Sequence, residues 1–349
     1  LGDVYKRQVC RGDGVMARGI EIILVGADDS VYRIYRSLPL YPDSPKETKC
    51  SFHVDLAESP VGFLMPPMTG IVEDKQSSYQ LERCIQRVEV GKRKLTLQLS
   101  VLPECDDVAF FYVKHKLERA FTFQTDKNDP DSHLARLIVR SGDTDKPEEL
   151  QSRYIEVSLE KPVEWSEKFD YVNSDGWVAV VSLYGSPFWM ETKPRTAYAL
   201  SAQFEKKNAR LTVIVENPGD VPVPLTWTFE GIKGKGAGAS YSIPDVKLIG
   251  GRFNRVIDTR QRLLTTPMVR NDESVEVSSD RDRPPIMSSK GKERSRELLT
   301  LSHGTYLRNK LPEYTQEIPL GVSYQKSGGL NIPPKTIKCE WTPMYYGAW

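Results

Sequence analysis

Histidine is the side chain that most readily moves protons or binds metals near neutral pH, and this chain has four: His53, His115, His133 and His303. His53 sits between Phe52 and Val54 in a strand-like run, His115 in a helix-like run, His133 in a polar turn and His303 in a Ser-His-Gly turn. None has a second histidine at metal-ligand spacing such as H-E-x-x-H, so each reads as an isolated core-edge or surface imidazole. Cys50 precedes His53 by three residues, but a zinc site needs a second such pair. The five cysteines, at 10, 50, 84, 105 and 339, are odd in number and widely spaced, and read as reduced, isolated thiols. Residues 231–238 (GIKGKGAG) invite comparison with phosphate-binding loops, yet no Walker pattern threads through them and a strand-like run follows, so they read as a hairpin tip or loop. A G-x-S-x-G elbow is absent. With 47 acidic residues, spacing alone nominates no glycosidase carboxylate pair. The expectation is a chain that is not an enzyme, with no catalytic residue, no cofactor and no metal site.

Aromatic rings are the other candidate chemistry, because exposed Trp and Tyr stack on sugars or anchor protein interfaces. Residues 339–349 (CEWTPMYYGAW) hold two Trp and two Tyr. Trp341 and its neighbours read as the last strand of a sandwich. Tyr345, Tyr346 and Trp349 are the candidates for partner or glycan contact, with Trp349 the one best placed to dock elsewhere.

The positioning elements must come from a chain of 349 residues, long enough for two domains, with 39% hydrophobic residues for their cores. Its 48 basic and 47 acidic residues leave a net charge of +1, without the basic excess of a nucleic-acid binder. The longest apolar run, residues 177–184 (WVAVVSLY), falls far short of the roughly 20 residues that span a membrane, and no secretory signal is visible. Twenty-four Gly, 24 Pro and 16 Tyr favour strands and turns over long helices.

Residues 1–15 lack apolar periodicity and are expected to be a non-native or disordered extension; their Arg11-Gly12-Asp13 reads as coincidence. Residues 19–35 (GIEIILVGADDSVYRIY) carry a hairpin signal. Prolines at 39, 42, 45, 60, 66 and 67 predict short or edge strands and long loops. In residues 94–101 (KLTLQLSV), Leu95, Leu97, Leu99 and Val101 alternate strictly, which predicts a strand over a core. One helix is expected, capped by Asp106 or Asp107 and running to Ala120, with Val108, Phe111, Tyr112, His115 and Phe121 on its apolar face. Residues 134–140, 153–159 and 176–183 read as strands. A boundary near residue 193 separates a domain over 16–193 from a second over 194–349, where short strands at 253–258, 274–278, 304–307, 321–324 and 337–342 suggest a β-sandwich. Residues 280–297, with six basic and four acidic side chains, read as a mobile surface loop.

Several segments, taken in order, resemble the distal tail proteins of long-tailed phages, a minor tail protein family. These are the run 153–189 ending in Pro187-Phe188-Trp189, the stretch 217–231 (NPGDVPVPLTWTFEG) with Asn217, Gly219, Trp227 and Gly231, the strand reaching Asp258, and the end from Trp341 through Tyr345, Tyr346 and Trp349. The resemblance implies a mainly β protein: an N-terminal β-sandwich-like ring domain with one α-helix, then a galectin-like or carbohydrate-module-like β-sandwich. It further implies a homo-oligomeric ring, a hexamer, at the tail tip of a virion assembled in the host cytoplasm, with the tail tube protein and the tail hub as partners. A carbohydrate-binding protein recognising host cell-surface glycans is the alternative, and a β-sandwich glycoside hydrolase a third reading. Neither nucleic acid nor membrane insertion is expected.

Overall fold

The computed structural model describes residues 18–38, 45–64, 68–72, 85–104, 109–121, 133–143, 150–166, 176–200, 208–230, 238–250, 255–258, 262–266, 268–270, 273–302, 306–327 and 336–349. They form two compact units, one reaching Thr192 and resumed at Tyr345–Trp349, the other Lys193–Met344. The fold is mainly β.

The first unit holds β1 (Arg18–Val25), β2 (Val31–Arg36), β3 (Phe52–Leu56), β4 (Met68–Val72), β5 (Ile85–Val90), β6 (Arg93–Pro103), α1 (Phe110–Ala120), β7 (Ala135–Asp143), β8 (Gln151–Leu159), β9 (Glu164–Trp165), β10 (Trp177–Gly185) and β11 (Trp189–Glu191). Its main sheet runs β2-β1-β7-β8-β10-β6-β3, with β9 beside β10 and β11 beside β8. All these pairings are antiparallel. The alternation in β6 sets the core: Leu95, Leu97, Leu99 and Val101 lie directly opposite Leu183, Val181, Ala179 and Trp177, and all eight are buried. Period two places both sets on one face. On the other face of β1, the carboxylate of Glu21 accepts Arg33 Nε at 2.5 Å and Arg140 Nη1 at 3.2 Å. Burial of a carboxylate is tolerated because both its oxygens are met by cations.

The helix differs from the expected one. Asp106, Asp107 and Val108 lie outside the described residues, and the residue at the cap is Ala109, which makes no side-chain bond. The buried face is Phe110, Val113, Leu117 and Ala120, while Phe111 is 78% exposed. The spacing of three and four is present in both sets; Phe110 wins the core by meeting the rings of Trp165 and Trp177 at 5.1 and 5.5 Å.

The second unit comprises β12 (Arg195–Leu200), β13 (Asn208–Asn217), β14 (Thr226–Glu230), β15 (Gly238–Pro244), β16 (Leu248–Ile249), β17 (Val256–Ile257), β18 (Leu263–Thr265), β19 (Val269–Arg270), β20 (Ser274–Ser278), β21 (Ile286–Ser288), α2 (Lys292–Leu301), β22 (Thr315–Ser327) and β23 (Thr336–Trp341); β24 (Met344–Tyr345) ends the series. One sheet runs β12-β23-β14-β20-β21, the other β13-β22-β15-β18 with β19 on β15, and β16 pairs with β17. Trp227, Phe229, Tyr241, Leu320 and Cys339 belong to their common core, where Phe229 and Tyr241 stack at 4.5 Å. Burial pushes the Cys339 thiol well above its ordinary pKa, which keeps it a neutral apolar group.

Residues 280–297 are not a loop throughout. They supply β21 and most of α2. Arg294 is 9% exposed and binds both oxygens of Glu273, at 3.0 and 3.2 Å, while Ser288 Oγ donates to Oε1 at 2.6 Å. One arginine turned inward, with Leu298 one turn later, anchors a segment whose other charges mask the pattern. Burial alone would raise the Glu273 pKa, but the bonds from Arg294, Ser288 and the Arg270 N–H hold it below the carboxylate norm. A depressed carboxylate stabilises above its unfolded pKa and loses that contribution as pH falls through the folded value. The second unit is therefore expected to weaken below about pH 4.5, and Glu273→Gln to flatten that acid limb in pH-dependent urea unfolding; an unchanged limb would refute the assignment.

Candidate functional site

Arg93 opens β6 two residues before Leu95, so the strand's alternation turns it inward with the leucines. It is fully buried. Nη1 donates to the Gly62 carbonyl at 2.5 Å, and Nη2 donates to those of Pro187 at 3.1 Å and Tyr346 at 2.5 Å. Burial lowers its pKa to about 10, which leaves it cationic at neutral pH. Gly62 has φ of +89°, and a Cβ there would lie 2.1 Å from the Lys94 carbonyl oxygen. No L side chain fits that approach.

Around this guanidinium the structure collects two of the segments singled out in the sequence. Trp189 is fully buried, with the Phe63 ring at 5.2 Å, and Phe63 in turn meets Trp349 at 6.0 Å. Phe188 meets Tyr346 edge to face at 5.8 Å. The Arg153 guanidinium lies 3.6 Å from the Tyr345 ring centroid and donates to the Gly347 carbonyl at 2.9 Å. Tyr345 Oη donates to Glu191 at 2.7 Å, and the Ala348 N–H to the Phe63 carbonyl at 3.0 Å. The last five residues, expected with the second domain, thus complete the first unit, because these donors and rings hold them there. Of the three aromatic candidates, Tyr345 is buried and Tyr346 half-buried, while Trp349 is 39% exposed.

A second node lies within the other unit. Asn217 is fully buried. Its Nδ2 donates to the carbonyls of Val221 at 3.0 Å and Pro312 at 3.0 Å, with Leu311 at 3.3 Å, and its Oδ1 accepts the Gly219 N–H at 3.0 Å. A Cβ on Gly219 would lie 2.5 Å from the Met344 carbonyl oxygen. The Asp220 N–H donates to that same oxygen at 2.9 Å, and Tyr314 Oη donates to the Asp220 carboxylate. Trp227 and Trp341 are buried in the sandwich core. Asp258 is buried with its carboxylate 3.2 Å from Lys247 Nζ, and Gly231 lies outside the described residues. Arg93, Arg153 and Glu191 were missed in the sequence reading; parity with Leu95 was the available signal for Arg93.

The histidines are dispersed. His53 pairs with Glu104 at 3.1 Å and His133 with Asp29 at 3.0 Å, His115 is exposed, and His303 lies outside the described residues. Among the described residues no group of three or more His, Cys, Asp or Glu is placed to hold a metal ion, and no helix is long and apolar enough to cross a membrane.

The geometry defines a two-unit antiparallel β protein. No known family profile matches the chain, and no curated protein matches it. Among solved structures it is similar to the SPP1 Dit protein, described as a paradigm of hub adsorption apparatus in phages infecting Gram-positive hosts, at 12% identity over 83% of this chain and 92% of that one, with a TM-score of 0.47. It is also similar to chains of the phage P2 baseplate in its activated conformation with Ca and with Sr, each at 10% identity over 90% of this chain and 99% of that one, with TM-scores of 0.39 and 0.38.

Proposed function

We propose that this chain is a structural virion protein of a phage tail tip or baseplate. Copies of the first unit assemble as a ring, a hexamer, that joins the tail tube to the hub and the host-attachment apparatus, and the second unit is a galectin-like or carbohydrate-module-like sandwich. The observation that carries this reading is that the segments on which the family resemblance rests are the ones that lock each unit: Pro187–Trp189 and Tyr345–Trp349 around Arg93, and Asn217–Gly219 in the sandwich. A net charge of +1 suits identical subunits packed head to tail, which would repel each other if strongly charged. Glycan contact is the weaker reading, since only Trp349 of the three aromatic candidates is exposed. Light scattering and negative-stain class averages of the full chain are expected to show a six-fold ring. A strictly monomeric particle at every concentration, with and without the tail tube and hub proteins, would overturn the proposal.

A further inference from the structure

The chain is nearly neutral in total, with a net charge of +1, but its charge is not evenly spread. Residues 245–262 and 306–313 of the second unit together hold seven basic and three acidic side chains. The first stretch is a hairpin between β15 and β18, in which Leu248 lies opposite Ile257 and the Asp245 N–H donates to the Arg262 carbonyl at 2.8 Å. All three acids are already engaged. Asp258 is met by Lys247 at 3.2 Å, Asp245 by Arg262 at 2.9 Å and Glu313 by Arg255 at 2.8 Å. Asp245 and Asp258 are also buried, so their charge lies behind the cations. Arg308 and Lys310 are exposed and form no ion pair among the described residues.

One buried carboxylate fixes both stretches. Asp245 Oδ1 accepts the N–H groups of Arg308 at 2.9 Å and Asn309 at 2.8 Å, while Oδ2 accepts Arg262 Nη2, which also donates to the Tyr306 carbonyl. Leu307 and Leu311 are buried and tie the second stretch down. Tyr306 is left 41% exposed, with the Arg308 guanidinium 5.1 Å from its ring centroid. The hairpin also exposes three aliphatic side chains: Ile249 and Val256, directly opposite each other, and Leu263.

Unpaired cations alone would suit any anion, so the apolar groups decide. Tyrosine and arginine anchors beside aliphatic side chains are the composition of a protein contact. A nucleic acid is held chiefly through its phosphates, which would leave three exposed aliphatic side chains without a role. We propose that this face of the second unit docks an acidic segment of a partner protein: Arg308 and Lys310 take its carboxylates, and Tyr306 and the aliphatic side chains of the hairpin take its apolar groups. Complementary charge selects that partner and speeds its encounter. The surface belongs to the second unit alone and does not depend on whether the first unit forms a ring.

Selection of a random-peptide display library on the immobilised full chain is expected to enrich sequences that combine Asp or Glu with apolar residues. A synthetic peptide of the enriched sequence should bind less tightly as salt rises. Tyr306→Ala, and separately the double change Arg308→Glu with Lys310→Glu, should each weaken it by roughly tenfold or more, the loss expected of an interface anchor, with the thermal midpoint of the chain unchanged. Enrichment without acidic residues, or affinity that both variants retain, would overturn the proposal. So would tighter binding of oligodeoxythymidylate, or of phosphatidylcholine vesicles containing phosphatidylglycerol, which would assign the surface to a nucleic acid or to a membrane.

Discussion

Arg93→Ala is expected to destabilise the first unit by roughly 3–5 kcal/mol, since each buried carbonyl left without a donor costs about 1–3 kcal/mol. The three carbonyls belong to Gly62, Pro187 and Tyr346, so the damage spreads to three stretches far apart in sequence. Arg93→Lys should rescue little, because one ammonium cannot reproduce a planar fork that reaches in several directions. Differential scanning calorimetry should show one lowered transition, and amide exchange at Ala348 should accelerate as its segment loosens. A loss under about 1 kcal/mol, the net worth of a single ordinary hydrogen bond, would mean that the guanidinium does not clamp the unit.

Asn217→Ala should weaken the second unit by a similar amount, about 3–4 kcal/mol, for the same physical reason. Three carbonyls lose the Nδ2 donor and the Gly219 N–H loses its acceptor. Asn217→Asp is the sharper variant. It nearly preserves shape and keeps the Gly219 bond but sets a carboxylate oxygen against three carbonyls, and buried charge facing like dipoles is costly. Urea unfolding should place both variants well below the native chain, with Asp no better than Ala. If Asp matched the native chain, the donor role of Nδ2 would be wrong.

Much of the sheet was legible because it rests on period two. Leu95, Leu97, Leu99 and Val101 announced their strand, and the turn after Val25 announced its hairpin. The helix was legible in place but not in orientation. Its neighbouring phenylalanines fit two overlapping apolar faces, and only the tertiary rings at Trp165 and Trp177 choose Phe110. Residues 292–301 were illegible as a helix because their anchor is a charged side chain, Arg294, whose burial depends on Glu273 across the fold. Arg93 was hidden in residues 91–94 (GKRK), a basic run just before the strand expected over 94–101. Local composition outweighed the parity that places it with the leucines. Its three acceptors lie 31, 94 and 253 residues away, a separation that no local pattern encodes.

That last separation bears on how the chain folds as it is made. Arg93 leaves the ribosome long before Tyr346, so the first unit cannot be completed until synthesis has nearly ended, and the closure entropy of so long a loop opposes it. The second unit eases this. Its first and last sheet strands are neighbours, with Arg195 directly opposite Trp341, so once it folds it brings its own two ends to one strand spacing, about 4.8 Å. The loop that Arg93 must close is then effectively less than half as long, a saving of about 0.6 kcal/mol or slightly more. The inserted unit therefore acts as a folding staple: once formed, it shortens the loop that separates the closing segment from Arg93.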